Sequence, residues 1–234
     1  TATGTGLNTH ADFAASVRAK LADATGVEAQ PPADPFEAQA NRDALVELSG
    51  ALKVVAVSLS KIANDLALMG SGPRAGLGEI RLPELQKGSS IMPGKVNPVI
   101  PEVVLQVSAQ VIGNDTAITI GGMQGQFELN VRVPLIARNL LQSIGLLTSA
   151  STLLAEKCVD GIEANEEALT RYGESTPAAA TGLNEYIGYD RATEIVKESV
   201  ASGKTIREVA KEQGVDDETL DKALDLRALA RPHD

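Results

Sequence analysis

The clearest feature of the sequence is a repeat of apolar residues at alternating spacings of three and four positions over residues 45–69. A pattern of this period predicts a long α-helix that packs lengthwise against its neighbours. Val54 and Val57 lie off the repeat, which indicates burial on more than one side, as in the core of a bundle or an oligomer. We predict one helix over residues 36–69 that ends at the Gly70-Ser71-Gly72-Pro73 breaker. The apolar positions of the repeat are Leu45, Leu48, Leu52, Val55, Leu59, Ile62, Leu66 and Met69.

Two further apolar patterns of helical period follow an irregular segment, residues 70–98. The first predicts a helix over residues 98–120, with Pro98 in the first turn, where a missing N–H costs nothing. Asn114 falls on the apolar side of this helix, and we expect it to be a hydrogen-bonded core residue. The second pattern predicts a helix over residues 133–158. The apolar residues are Ile100, Val104, Val107, Val111 and Ile118 in the first helix and Val133, Ile136, Leu140, Ile144, Leu147 and Leu154 in the second.

Shorter helical patterns occupy the two ends of the chain. Because three long apolar helices lie between them, the sequence predicts an all-α protein with a long-helix bundle. We expect the bundle to occupy residues 1–162 and a small, separate helical domain to occupy residues 163–234. The predicted short helices cover residues 9–24, 163–172, 189–202, 205–213 and 217–224.

Charge and composition exclude several classes of function. The 234 residues include 21 Lys and Arg against 31 Asp and Glu, a net charge of −10, which argues against binding to nucleic acid or to anionic membranes. No apolar run approaches the ~20 residues of a membrane span. Cys158 is the single cysteine and no signal peptide is recognisable, so we expect a cytoplasmic protein. With two histidines and one cysteine, no metal-ligand spacing exists, and we expect no bound metal.

The segment TIREVAKEQGVDDETLDKAL, residues 205–224, has the spacing of a DNA-binding helix-turn-helix. Its second helix carries several acidic side chains, which would repel the phosphates of DNA. We therefore interpret the segment as a small packed pair of helices.

Residues that suit chemistry are concentrated in the irregular segment before the second long helix. The sequence GSSIMPGKVNP, residues 88–98, places two hydroxyls, an ammonium and an amide between glycines. These groups suit a carboxylate substrate, because Lys95 supplies charge, Ser90 and Asn97 supply hydrogen bonds, and the following helix N-terminus favours an anion. Composition alone is equally typical of a flexible surface loop. The basic residues Arg74, Arg81, Lys87 and Lys95 outnumber the acidic residues Glu79 and Glu84 in the segment.

GSSIMPGKVNP resembles the signature of the fumarase/aspartase superfamily, and segments along the whole chain resemble class II fumarases. This resemblance implies a central long-helix bundle, assembled as a homotetramer with active sites shared between subunits, and a small C-terminal helical domain. Chains of the family are about twice as long, so we expect this chain to be the C-terminal half, without the motif that supplies a catalytic histidine. His10 and His233 lie outside that motif and are not expected to replace it. The resembling segments are TGLNTH, GALK, KIAND, SGPRAGLGEI, VIGND, FELNV and IGYD.

The resemblance implies a reversible anti elimination that converts (S)-malate to fumarate and water without a cofactor. In this reaction Ser89, as an alkoxide, would be the base that removes a proton next to a carboxylate. Glu102 matches the carboxylate partner of the catalytic histidine, although a first-turn glutamate is also favoured by the helix dipole alone. The residues implied to hold the substrate carboxylate are Ser90, Lys95, Val96 and Asn97.

Two other functions stay open at this point. Aspartases share much of the signature, including NPVIPEVV and LPELQ, so an aspartate ammonia-lyase is the first alternative. FELNV and TGLNEYIGYD favour fumarase, whereas NPVIPE differs from the NPTQCE of many fumarases. The second alternative is an inactive helical scaffold, since a half-chain would lack part of the active site.

Overall fold

The computed structural model of the protein describes residues 4–86 and 88–232, so Lys87 and His233 lie outside the described residues. Helices dominate, which confirms the all-α class, and the described chain adds only two short strands. The strands are β1 (Ile80–Arg81) and β2 (Glu163–Ala164). The helices are α1 (Phe13–Thr25), α2 (Pro35–Ala40), α3 (Asp43–Met69), α4 (Val99–Gly122), α5 (Val133–Lys157), α6 (Glu166–Ser175), α7 (Asn184–Ile187), α8 (Tyr189–Ser202), α9 (Ile206–Glu212), α10 (Asp217–Ala223) and α11 (Leu226–Leu229), with short 3-10 helices at Val159–Gly161 and Pro177–Leu183.

The helix predicted over residues 36–69 is interrupted between α2 and α3, so the prediction of one continuous helix is wrong. Asn41, at the break, has an extended backbone, with φ −98° and ψ 160°. The Arg42 guanidinium donates hydrogen bonds to the carbonyl oxygens of Ala38 and Asn41 at 2.6 and 2.5 Å. These bonds satisfy carbonyls that the end of α2 leaves without helical partners.

The chain folds into two compact units. The first contains the described residues up to 67 together with residues 82–161, and its core lies between α3, α4 and α5. Leu52 and Leu59 of α3 pack on this core, whereas Val55 and Ile62 of the same apolar repeat are 45% and 44% exposed. Only part of the predicted repeat is therefore covered within the chain. The buried core residues are Ala56, Ala63, Ile100, Val104, Val111, Ile118, Ile136, Leu140, Leu147, Ala150, Leu154 and Cys158.

A buried polar group joins α4 to α5 inside this core. The Asn114 amide donates to the Gln142 Oε1 and Ser143 Oγ atoms, both at 3.1 Å, and its oxygen accepts from the Gln110 amide at 2.8 Å. Asn114 is therefore a satisfied core residue, as its position on the apolar side of the helix predicts.

The second unit contains residues 68–81 and the described residues from 162 onward. Strands β1 and β2 pair antiparallel, with Ile80 opposite Ala164 and Arg81 opposite Glu163. The core of the second unit is formed by residues of the 3-10 helix Pro177–Leu183, of α8, α9 and α10, and by Val215. The helix-turn-helix-like segment, residues 205–224, therefore contributes several residues to this hydrophobic core. The buried residues are Ala180, Leu183, Ala192, Ile195, Ile206, Val209, Ala210, Val215, Leu220 and Ala223.

A capping box begins α9 in the second unit. The Thr205 hydroxyl accepts from the Glu208 N–H at 3.2 Å, and the Glu208 carboxylate accepts from the Thr205 N–H at 2.8 Å. The hydrogen bond from the Thr205 backbone N–H lowers the pKa of the Glu208 carboxyl, and the hydrogen bond from the Thr205 hydroxyl lowers it further by a smaller amount. Both partners therefore stabilise the first turn of α9. Within the described ranges, no helix has the length and apolar content needed to span a lipid bilayer.

Candidate active site

The six residues proposed for the site lie in or just after one loop, residues 88–98, which leads directly into α4. Ser89 and Asn97 are half-buried, whereas Ser90, Lys95 and Val96 are exposed. The structure thus places the loop residues on one short stretch of backbone at the N-terminal end of a long helix that buries one side in the core. Glu102 follows in the first turn of α4.

The two arms of the loop are held together at its base. The Asn97 side-chain amide donates a hydrogen bond to the carbonyl oxygen of Gly88 at 2.8 Å. A Cβ atom on Gly88 would lie 1.9 Å from the carbonyl oxygen of Lys95, so only glycine fits at this close approach. We call this contact between Gly88, Lys95 and Asn97 the clasp.

The clasp lies at the beginning of a tight turn that contains Ser89. The Ser89 Oγ atom accepts hydrogen bonds from the backbone N–H groups of Ile91 and Met92, both at 3.1 Å. Two N–H donors aimed at one oxygen stabilise negative charge on it, and they leave the hydroxyl proton free to be removed. This arrangement favours the alkoxide form that a serine base requires.

The side chains of Ser90 and Lys95 do not take part in the contacts that close the loop. Within the described chain, no hydrogen bond or ion pair engages the side chain of Ser90 or Lys95. The backbone turns at Gly94, where φ is 79°, and the Lys95 N–H donates to the carbonyl oxygen of Met92 at 3.3 Å. An exposed ammonium in the same loop as two hydroxyls can bind an anionic ligand.

Glu102 is exposed, and among the described residues its carboxylate has no hydrogen-bond or ion-pair partner. Its backbone is part of α4, because its N–H donates to the carbonyl oxygen of Pro98 at 3.0 Å. This position fits a first-turn carboxylate near the positive end of the helix dipole. Its role beside a catalytic histidine stays a prediction.

Comparison with known proteins places these features in a family. The sequence profile of a family described as "Lyase" matches residues 1–113, and the profile described as "Fumarase C C-terminus" matches residues 180–231. The "Fumarate hydratase class II" of Corynebacterium efficiens is 57% identical over 98% of this chain and 50% of that protein. The chain belongs to the class II fumarase family. "Fumarate hydratase, mitochondrial" of Danio rerio is 49% identical over 100% of this chain and 45% of that protein.

Two solved structures of fumarase-family proteins share the fold. A fumarate lyase/delta-crystallin from Brucella melitensis superposes with a TM-score of 0.93 and is 50% identical, covering 99% of this chain and 50% of that chain. The class II fumarase from Schistosoma mansoni has a TM-score of 0.89 and 36% identity, covering 100% of this chain and 52% of that chain. The chain spans about half the length of the curated relatives that it matches.

Two hydrogen-bond donors of the candidate site have no signal in the sequence. The N–H groups of Ile91 and Met92 belong to the backbone, so only the geometry of the loop identifies them as donors to Ser89. By contrast, His10 is exposed, and its Nδ1 atom accepts from the Asp12 N–H at 3.2 Å, which fits the predicted loop residue.

Proposed function

We propose that this protein is a fumarate hydratase, which interconverts (S)-malate with fumarate and water. The observation that carries the proposal is the pair of N–H donors 3.1 Å from the Ser89 Oγ atom, in a loop with an uncommitted ammonium and hydroxyl. Membership of the class II fumarase family supports this reaction over others that use a serine base.

The reaction begins with removal of a proton from malate. The Ser89 alkoxide takes a proton from the carbon next to one carboxylate, and the electron pair moves into that carboxylate to give an aci-carboxylate. The electron pair then forms the carbon–carbon double bond of fumarate as the bond from the neighbouring carbon to its hydroxyl breaks. The histidine supplied from outside this chain donates the proton with which the oxygen leaves as water, and Ser89 afterwards releases its proton to solvent. The N–H groups of Ile91 and Met92 support the first step because they stabilise the alkoxide before the proton is taken.

The remaining loop groups hold the substrate. Lys95 and Ser90 bind the carboxylate on which charge develops, and the backbone of Val96 contributes beside them. The Asn97 amide has a second task in this structure, since it closes the clasp on Gly88 at 2.8 Å. Glu102 is the proposed carboxylate partner of a histidine supplied from outside this chain.

We also propose that the protein self-associates as a homotetramer whose active sites are shared between subunits. The exposed apolar residues of α3 support this, because a second helix bundle would remove them from water. Localisation in the cytoplasm is a prediction from the sequence. These exposed apolar residues include Leu48, Val54, Val55, Val57 and Ile62.

The test of the proposed reaction is the variant Ser89→Ala in the complete protein, assayed by the ultraviolet absorbance of fumarate formed from (S)-malate. Loss of the base should lower kcat about 100- to 10,000-fold, the usual contribution of a positioned proton-transfer group. The matched control is Ser202→Ala, whose exposed hydroxyl bonds to the Glu198 carbonyl of its own helix, and it should keep full activity. Unchanged turnover in Ser89→Ala, with the helical circular dichroism intact, would reject Ser89 as the base.

A further inference from the structure

A polar cavity of about 250 Å³ lies within the second unit and contains none of the proposed active-site residues. It opens between the loop 73–78 and helix α6. Arg74 from the loop and Arg171 from α6 both line it, together with Asn165 and Tyr172. Two arginines from separate segments therefore line one space.

The walls of the cavity are fixed by hydrogen bonds. The Asn165 side-chain amide donates to the Gly78 carbonyl oxygen at 2.8 Å, and the Tyr172 hydroxyl donates to the Gly76 carbonyl oxygen at 3.4 Å. A Cβ atom on Gly76 would lie 2.5 Å from the Ser71 carbonyl carbon and oxygen, so the loop is folded tightly on itself. The cavity is thus preformed, which lowers the entropy that a ligand loses on binding.

The residues that line the cavity carry more positive than negative charge, although Arg171 also borders a neighbouring surface pocket with Glu166 and Glu174. Among the residues that the structure describes, neither Arg74 nor Arg171 has an ion-pair or hydrogen-bond partner. The Arg171 guanidinium is held over the Tyr172 ring, 5.1 Å from its centroid, which leaves its donors available. Glu167 is the one acidic side chain among the described lining residues, so cations exceed anions there. This is unusual in a protein of net charge −10, which has carboxylates in excess.

We propose that this cavity binds a small anion that carries at least two negative charges, either a phosphate compound or a di- or tricarboxylate. Guanidinium groups bind both classes through paired N–H···O hydrogen bonds, and two of them match a ligand with two charged ends. A volume of about 250 Å³ admits a molecule of this kind but not a macromolecular segment. We call it the second anion site.

Isothermal titration calorimetry on the complete protein at low ionic strength tests the second anion site, with inorganic pyrophosphate and citrate as separate probes. Arg74→Gln and Arg171→Gln should each weaken binding at least about tenfold, since each removes a charge-assisted contact. The matched control is Arg227→Gln, an exposed residue of the same unit that does not line the cavity, and it should bind as the parent does.

The two probes separate the possible sources of the anion. Binding of pyrophosphate alone identifies a phosphate ligand, and binding of citrate alone identifies a carboxylate ligand. Absence of binding by both probes would overturn the proposal, as would equal weakening by all three substitutions. Because the loop 88–98 can also bind these anions, only heat that Arg74→Gln and Arg171→Gln weaken is assigned to the second anion site, and this dependence keeps the result separate from the proposed hydratase reaction.

Discussion

At the scale of single residues, the account depends on how a serine can act as a base. A hydroxyl is a weak acid, and Ser89 differs from other serines of the chain in accepting two backbone N–H groups at 3.1 Å. Those donors are placed by the turn of the loop, and the turn is closed by the Asn97 amide on the Gly88 carbonyl. The position of the Ser89 hydroxyl is therefore set by the backbone of Ile91 and Met92 and by the clasp, none of which takes part in the proposed proton transfer.

The clasp makes a prediction for Gly88→Ala. The added Cβ would lie 1.9 Å from the Lys95 carbonyl oxygen, so the two arms must separate and the N–H donors must move away from Ser89. We expect kcat for malate to fall roughly 100-fold, as for a displacement of about 1 Å in a reacting group. Fumarate absorbance measures this rate.

Gly145→Ala is the control for the clasp, because no heavy atom lies within 4 Å of the added Cβ and the residue is inside helix α5. It should retain both kcat and thermal stability. Full activity in Gly88→Ala would show that the closed loop is not needed to position Ser89.

At the scale of elements, one buried carboxylate connects α3 to α4. The Asp115 side chain is 6% exposed, and it accepts from the Ser49 hydroxyl at 2.7 Å and from the Lys53 ammonium at 2.6 Å. A carboxylate in this position is stable only while both donors are present. The contact fixes the position of α3 along α4, the helix that follows the loop 88–98.

We predict that Asp115→Ala lowers the free energy of unfolding by at least about 2 kcal/mol, because Ser49 is left buried without its partner. The control is Asp65→Ala, which removes the partly exposed ion pair with Lys61 on one helix and should change stability by no more than about 0.5 kcal/mol. Urea denaturation followed by circular dichroism measures both. Equal destabilisation by the two variants would contradict the role given to Asp115.

The apolar period predicts the long helices but not all of their ends. The second and third long helices were predicted over residues 98–120 and 133–158, and α4 and α5 match them closely. The apolar pattern does not predict the break between α2 and α3. Hydrogen bonds from the Arg42 guanidinium to backbone carbonyl oxygens stabilise this break, and they lie before the first residue of the apolar repeat. Strands β1 and β2 are two residues long, too short to produce an alternating pattern.

The sequence predicts side chains for the candidate site but not the backbone geometry around them. The types and spacing of Ser90, Lys95 and Asn97 point to carboxylate chemistry, and the resemblance to a known signature assigns the role of Ser89. The clasp depends on a contact between residues nine positions apart, which no local pattern encodes. The donors from Ile91 and Met92 are likewise set by loop geometry alone.

At the scale of the whole molecule, the apolar repeat of α3 is only half covered by its own chain. Leu52 and Leu59 pack on the core, while Val55 and Ile62 remain 45% and 44% exposed. The apolar pattern predicts that Val55 and Ile62 are buried, but packing within one chain does not bury them. This agrees with the proposed association of several long-helix bundles.

We predict that Val55→Glu disrupts this association, because a carboxylate would be buried in the apolar interface. Light scattering after size-exclusion chromatography should show tetramers for the parent and smaller species for the variant. The control is Val200→Glu, at a position 70% exposed in the second unit, which should leave the tetramer intact. A parent protein that is monomeric at micromolar concentration would contradict the proposed assembly.

The most direct test of the proposed function is fumarate formation by the complete protein from (S)-malate and from L-aspartate in parallel assays. The similarity to class II fumarate hydratases predicts turnover of malate and none of aspartate. Turnover of aspartate would instead identify an ammonia-lyase of the same superfamily. Absence of turnover with both substrates would contradict the hydratase and leave a helical scaffold.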